Sequence, residues 1–139
     1  MTVDYEIKKE DEELVEMAKK AIVDRYLENW HSIGAALRTK DGKIFTSVHI
    51  EASVGRIAVC AEAIAVAKAL YDGSSQFDTI VAVKHPRPSN PDQSMKVVSP
   101  CGMCRELVSD YDRTAKVIYP DNGKLRKSDV LDLLPFKYK

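Results

Sequence analysis

Neither sign of charge prevails in this 139-residue chain, where 21 Lys and Arg balance 21 Asp and Glu. No basic run breaks the balance. A chain that grips a nucleic-acid backbone carries a basic stripe, so long nucleic acid is not an expected partner. Long apolar runs are missing as well. The alanine-rich stretch from Ile57 to Leu70 is too short, and too marked by Arg56, Glu62 and Lys68, to cross a bilayer. The opening residues, Met1-Thr2-Val3-Asp4-Tyr5-Glu6, are acidic and lack the apolar core of a secretory signal. No repeat, linker or low-complexity segment is visible. Cysteine is scarce, and three cysteines without an export signal argue for a reducing compartment and for metal over disulfide. A single cytoplasmic domain, 1–139, is expected, long enough to bury its own core.

What little sulfur there is falls entirely within two short motifs, Cys60-Ala61-Glu62 and Pro100-Cys101-Gly102-Met103-Cys104. Three sulfur ligands and one carboxylate that does not ligate would make a zinc site with an open fourth position. Structural zinc sites close all four positions with protein, whereas catalytic ones keep one for water. The pattern therefore points to metal-activated water with Glu62 beside it to move protons.

The periodicity supplies a frame for these motifs. Glu12 to Asn29 reads as an amphipathic helix with Leu14, Met17, Ala18, Ile22 and Leu27 on one side. His31 to Arg38 and Ile44 to Ile50 read as strands joined by a turn at Asp41-Gly42. A second helix is expected from about Ile57 to Asp72, stopped by Gly73. Phe77 to Lys84 is a continuous apolar run suited to a strand covered on both faces. His85 to Lys96, with three prolines, reads as a loop. Ser99 as N-cap and Pro100 at the first helical position would open a third helix ending near Tyr111. Lys116 to Tyr119 reads as a strand, Asp121-Asn122-Gly123 as a turn, and Ser128 to Leu134 as a last helix. A hairpin followed by alternating helix and strand predicts a three-layer α-β-α sandwich with a mixed five-stranded sheet.

Both motifs fall at helix starts, where unpaired N–H groups and partial positive charge favour thiolate. Cys101 and Cys104 are three apart and can chelate one ion from a single turn. Cys60 and Glu62, two apart, can serve that ion only if it lies beyond the helix end, so two helix N-termini should converge on it. Three thiolates weaken the metal as a Lewis acid, which makes Arg105 and Arg56 candidates for charge support. Other readings stay open. Cys101 and Cys104 could form a thiol–disulfide pair, or His49 or His85 could close a structural zinc module. His31 and His49 could simply be packed strand residues, His85 a solvated loop residue, and Trp30 part of the core or an interface.

The H-x-E…P-C-x-x-C pattern, with cysteine allowed in place of the first histidine, is that of zinc deaminases acting on nucleobases. The chain resembles the cytidine deaminase family. The likeness runs from about His31 to Tyr138, through Gly34-Ala35-Ala36-Leu37, Thr39-Lys40-Asp41-Gly42, Val59-Cys60-Ala61-Glu62, Ser99-Pro100-Cys101-Gly102-Met103-Cys104-Arg105 and Leu133-Leu134-Pro135. Val48-His49-Ile50-Glu51-Ala52, Ala63-Ile64-Ala65, Asp78 to Val83 and Ser109-Asp110-Tyr111 resemble its blasticidin-S deaminase branch. The resemblance implies zinc held by Cys60, Cys101 and Cys104, and hydrolytic removal of the 4-amino group from a free cytosine nucleoside. Glu62 would protonate N3 and then the departing amine. It further implies that the Ala61 N–H and Ser99 carbonyl touch the base edge and that Glu51 holds the sugar. A homotetramer with shared active sites is implied too, Tyr138 reaching a neighbouring site. Three departures from the ordinary family pattern stand out: His49 in place of Asn, Ala63 in place of Arg, and His31 in place of an aromatic residue against the pyrimidine. They point away from recognition of an unmodified ribose and make His49 and His31 candidate substrate contacts. No phosphate-binding pattern is evident.

Overall fold

The structure is a computed structural model that describes residues 4–138. Helix α1 (Lys9–Arg25) precedes a hairpin of β1 (Ile33–Thr39) and β2 (Ile44–Val48). A 3₁₀ turn (Gly55–Ile57) leads into α2 (Ala61–Tyr71), followed by β3 (Phe77–Lys84) and the short β4 (Lys96–Val98). Helix α3 (Gly102–Tyr111), the hairpin β5 (Lys116–Asp121) and β6 (Lys124–Asp129), and a 3₁₀ turn (Val130–Leu133) complete the order. The sheet runs β2-β1-β3-β5-β6, with β4 also paired to β3. Only β3 and β5 pair in parallel, so the sheet is mixed. Among the described residues it has six strands, five along the main path as expected and β4 beside β3.

Alternation along the strands divides the core in two. Leu37, Ile80 and Val117 face α2 and α3, packing on Ala65, Val66, Ala69 and Val108. Ala36, Val81 and Ile118 face the other way onto Leu14, Val15 and Ala18 of α1. The expected three layers are present. At Gly34 the backbone of α1 comes so close that a Cβ would sit 2.5 Å from the Ala18 carbonyl oxygen.

Helix α1 starts earlier and stops earlier than its apolar periodicity implied. The Asp11 carboxylate accepts from the Lys8 N–H at 3.0 Å and fixes the start. Beyond Arg25 the chain turns through Asn29 (φ 68°) into a bridge between Leu27 and His31. Met17 and Leu27, expected inside, are exposed, and Val15 and Asp11 are buried instead. Asp11 is fully buried because Arg38 (2.8 Å) and Lys127 (3.1 Å) both reach it, and Arg38 also holds Asp78. That network ties α1 to β1, β3 and β6. Burial alone would raise the Asp11 pKa, but the hydrogen bonds from Arg38, the Lys8 N–H and Lys127 prevail and lower it.

Two strands escaped the sequence pattern. β4 is three residues long and lies partly within the expected loop. β6 (Lys-Leu-Arg-Lys-Ser-Asp) has almost no apolar content, since it is a charged edge strand completing a hairpin. Asn122 (φ 50°) and Gly123 (φ 78°) supply the left-handed pair such a turn demands. Ser128, expected to open a last helix, belongs to this strand and meets the Tyr119 hydroxyl at 2.8 Å. Among the described residues only the 3₁₀ turn follows it. Helix α2 likewise begins at Ala61 rather than near Ile57, while Gly73 (φ 91°) does end it as expected.

Candidate active site

The site is assembled where α2 and α3 begin. Cys60 is the N-cap of α2, its carbonyl accepting from the Ile64 N–H. Cys101 is the N-cap of α3, its carbonyl accepting from the Arg105 N–H at 3.0 Å. This corrects the expected start of α3 at Ser99 and Pro100 by two residues. Cys101 keeps an extended backbone (ψ 168°), and the Pro100 carbonyl is taken by the Arg105 side chain. Neither sulfur makes a full capping hydrogen bond to its own helix, although the Met103 and Cys104 N–H groups favour the Cys101 thiolate. Cys104, one turn into α3, is buried.

Several contacts hold this arrangement. Ile50 and Val59 exchange two 2.9 Å backbone bonds, closing the 51–58 loop immediately before Cys60. The Ser47 hydroxyl donates to the Ala61 carbonyl at 2.6 Å, docking α2 on β2. Arg105 donates to the carbonyls of Pro100 and Leu133 (2.8 Å each) and to the Ser99 hydroxyl (3.0 Å). Its guanidinium thus staples the Ser99-Pro100-Cys101 turn to the C-terminal 3₁₀ turn.

The three sulfurs lie within 4.8 Å of one another, with Cys60 and Cys101 3.9 Å apart. Four ligands at ~2.3 Å around a tetrahedral zinc stand about 3.8 Å from each other, so the cluster fits such an ion with slight contraction. The donor set also calls for a cation. Burial raises the Cys60 thiol, and the charges of Cys101 and Glu62 add to that. Cys104 is pushed up further, by burial and by the charges of Glu62, Cys60 and Cys101. Cys101 goes the other way: burial opposes ionisation, but the Cys104 N–H, the Cys104 and Cys60 thiols and the Met103 N–H lower its pKa. Without a positive ion, one thiolate is stabilised at its neighbours' expense. Among the described residues the ligand group so placed stops at three.

Beside the sulfurs is a cavity of about 170 Å³. Glu62, Cys60 and Cys101 line it, with Ala61, Ser99 and His49 around them and Ile33 and Val98 as apolar walls. Glu62 is 6 % exposed. Burial raises its carboxyl pKa, while its own N–H and the Cys104 thiol pull the other way. At the rim, His49 Nε2 is 3.7 Å from Glu51. The second Glu51 oxygen accepts from the Ala52 N–H, and His49 Nδ1 is buried without a partner. His31 Nδ1 meets the His49 carbonyl at 2.8 Å, so it adjoins the rim without lining the cavity.

The remaining candidates lie elsewhere. Arg56 is exposed on the 3₁₀ turn before α2. Tyr138 is 81 % exposed, and its neighbour Lys137 anchors the tail to Glu106 (2.7 Å) and Asp110 (2.6 Å) of α3. His85 stacks on Tyr26 and Trp30 is partly exposed. Ser47, Ile33 and Val98 were not foreseen at the site. Strand alternation alone could have marked Ser47 as inward-facing.

Residues 8–120 match the family described as the cytidine and deoxycytidylate deaminase zinc-binding region. The chain belongs to that family. It is 52% identical over 134 residues to blasticidin-S deaminase of Bacillus cereus, covering 96% of each chain. It is 32% identical to cytidine deaminase of Sporosarcina psychrophila, covering 89% of this chain and 88% of the other. Cytidine deaminase from Burkholderia pseudomallei superposes with a TM-score of 0.73 at 30% identity, over 91% of this chain and 98% of that one. The deaminase likeness read from the two cysteine motifs is borne out, and so is the fold.

Proposed function

We propose that this family member hydrolyses the C4–N4 bond of a free cytosine nucleoside: cytidine, deoxycytidine or the antibiotic blasticidin S. The observation that carries the reading is a cluster of three sulfurs, two of which line one cavity together with the buried Glu62. Zinc held by Cys60, Cys101 and Cys104 would acidify water, supplying a nucleophile at neutral pH. Glu62 takes the proton from that water and places it on N3 of the ring. The hydroxide that remains adds at C4, and Glu62 then carries the proton of the new C4 hydroxyl to N4; the C4–N4 bond breaks as the C4 carbonyl forms, and ammonia and the uracil form leave. The Ala61 N–H and the Ser99 carbonyl read the edge of the base. The Cys101 N–H, at the start of α3, faces the oxygen added at C4.

His49 and Glu51 are assigned to the sugar side, since His49 Nδ1 is a buried polar atom in need of a partner. His31 orients His49 through its carbonyl. Arg105 lends charge mainly by organising the turn that carries Cys101, and Arg56, exposed on the 3₁₀ turn before α2, is the second candidate for charge support. A homotetramer is in keeping with exposed Val54, Ile57, Val59 and Met103 around the start of α2 and α3, and with Tyr138 standing free to enter a neighbour's site. A thiol–disulfide role would leave Cys60 and Glu62 without purpose. No described helix is long and apolar enough to span a membrane, and we place the enzyme in the cytoplasm, in pyrimidine salvage or antibiotic resistance. The similarity to a blasticidin-S deaminase favours the antibiotic.

The test is direct. Zinc-loaded protein is given each of the three nucleosides, and ammonia is measured together with conversion of cytosine to uracil absorbance. Equal release of ammonia and uracil nucleoside from at least one is expected. Release from none of them refutes the proposal.

A further inference from the structure

Ser47 is the one buried residue of β2, at 8 % exposure. Strand register places it in a row that runs Ser47, Ala35, Ala82 and Val98, each directly opposite the next. Residues opposite one another share a face of the sheet. Ala35 and Ala82 pack on Ala61, the first residue of α2. Small side chains let the start of this helix lie close on the sheet, and the row carries a hydroxyl only at its Ser47 end. That hydroxyl donates to the Ala61 carbonyl at 2.6 Å.

A carbonyl that opens a helix already receives the N–H four residues on. The bond from Ser47 is an added constraint, and it acts on a peptide unit that is planar and stiff. At the other end of that unit is the Glu62 N–H, which attracts the Glu62 carboxylate. Ser47 thus holds one side of a plane whose other side addresses the group assigned to carry protons. The remaining ties to β2 and its extension act elsewhere. Ile50 and Val59 exchange their backbone bonds ahead of Cys60, and Lys68 reaches the Thr46 carbonyl from a later turn of α2. Between them, Ser47 is the tie that meets the Ala61–Glu62 peptide itself. It does so from outside the cavity that Glu62 lines.

We infer that Ser47 is a positioning residue for deamination, holding the Ala61–Glu62 peptide so that the carboxylate reaches the attacking water, N3 and N4 in turn. The inference rests on the deaminase reading and adds to it a residue that touches neither metal nor substrate. Proton transfer needs its partners within hydrogen-bond reach, so a small displacement of Glu62 is felt in the chemical step before it is felt in binding.

The test is a double-mutant cycle. Wild type, Ser47→Ala, Glu62→Gln and the double variant are compared for zinc content, kcat and KM on a nucleoside that the wild type deaminates. Ser47→Ala should keep its zinc, and KM within about twofold, while kcat falls roughly 10–100-fold, the scale of a reacting group displaced by up to an ångström. In the Glu62→Gln background the same substitution should change kcat by less than about twofold, because the group it positions is already lost. An equal fall in both backgrounds would make Ser47 a general prop of the fold, and no fall in the first would make it a bystander. Either result, or loss of zinc from Ser47→Ala, overturns the inference and leaves the deaminase reading standing. Should Ser47→Ala fail to fold, Ser47→Thr takes its place in the cycle, since its added methyl shifts the hydroxyl on a side chain that suits a strand. The same outcomes then decide. Ammonia from no nucleoside with wild type refutes the deaminase reading itself, and the role of Ser47 falls with it.

Discussion

Cys60 and Cys101, 41 residues apart in the chain, are the N-caps of two different helices and hold their sulfurs 3.9 Å apart. Each helix therefore presents its first-turn N–H groups, and the positive end of its dipole, toward the same few cubic ångströms. The relationship explains why cysteine stands where Ser, Asp or Asn would usually serve. A capping oxygen would serve its own helix alone, whereas these sulfurs also meet each other between the two helices.

Removing one of the pair should therefore remove the ion. Cys60→Ala is expected to purify with less than about a tenth of the wild-type zinc, given how steeply a site depends on its ligand count. Elemental analysis of dialysed protein reads this directly. Zinc at full stoichiometry would mean that another side chain completes the site.

Glu62 has a different task and should separate binding from chemistry. Glu62→Gln keeps the shape of the buried side chain but cannot shuttle protons. Its zinc content should match wild type while kcat falls by about 10²–10⁴-fold. Turnover within a factor of two of wild type would remove Glu62 from the mechanism.

Arg105 touches no sulfur, yet its three hydrogen bonds shape the turn before Cys101. Arg105→Ala should weaken zinc binding by about 10–100-fold, as loss of support behind metal ligands does. Arg105→Lys should recover only part, since a point charge cannot reach three acceptors in a plane. Competition with a chelator of known affinity measures both. Unchanged affinity in Arg105→Ala would make the staple irrelevant to the metal.

Acid stability should report on Asp112. It is partly buried, and burial would raise its pKa. Bonds from the Thr114 hydroxyl, the Phe77 and Thr114 N–H groups and Lys40 prevail and hold it at about 2. Because the folded pKa is depressed, this contribution is complete above the unfolded value near 3.8 and disappears as pH falls toward about 2. Asp112→Asn should cost on the order of 2 kcal/mol at pH 7 and much less near pH 2.5, measured by urea unfolding. An equal loss at both pH values would show that the charge is not what matters.

Gly34→Ala tests the packing of α1 on the sheet. The new methyl would collide with the Ala18 carbonyl, backbone against backbone, so relief requires moving the helix. A loss of about 1–3 kcal/mol is expected in the same unfolding experiment. An unchanged midpoint would mean that α1 shifts freely.

The chemistry was more legible than the fold around it. Cys101 and Cys104 are close enough in sequence for one turn to unite them, and Cys60-Ala61-Glu62 carried its meaning in residue type alone. β3 announced itself through a continuous apolar run. β6 did not, because a charged edge strand hides its pairing in backbone hydrogen bonds rather than side-chain pattern. Asp11 read as one acid among several at a helix start. Its burial depends on Arg38 and Lys127, both remote in the chain, and no local window contains them.

By itself the sequence determined the donor set, the helix and strand periods of its longer elements, and membership of a deaminase family. Those are properties of residue type and of spacings within a few positions. Only the tertiary structure decided which residues enclose the cavity and how far it extends. Ile33 and Val98 wall it from two strands, and Ser47 holds the start of α2 from a third. Such meetings arise when distant segments bury their apolar faces together, and nothing local in the chain encodes the distance that results.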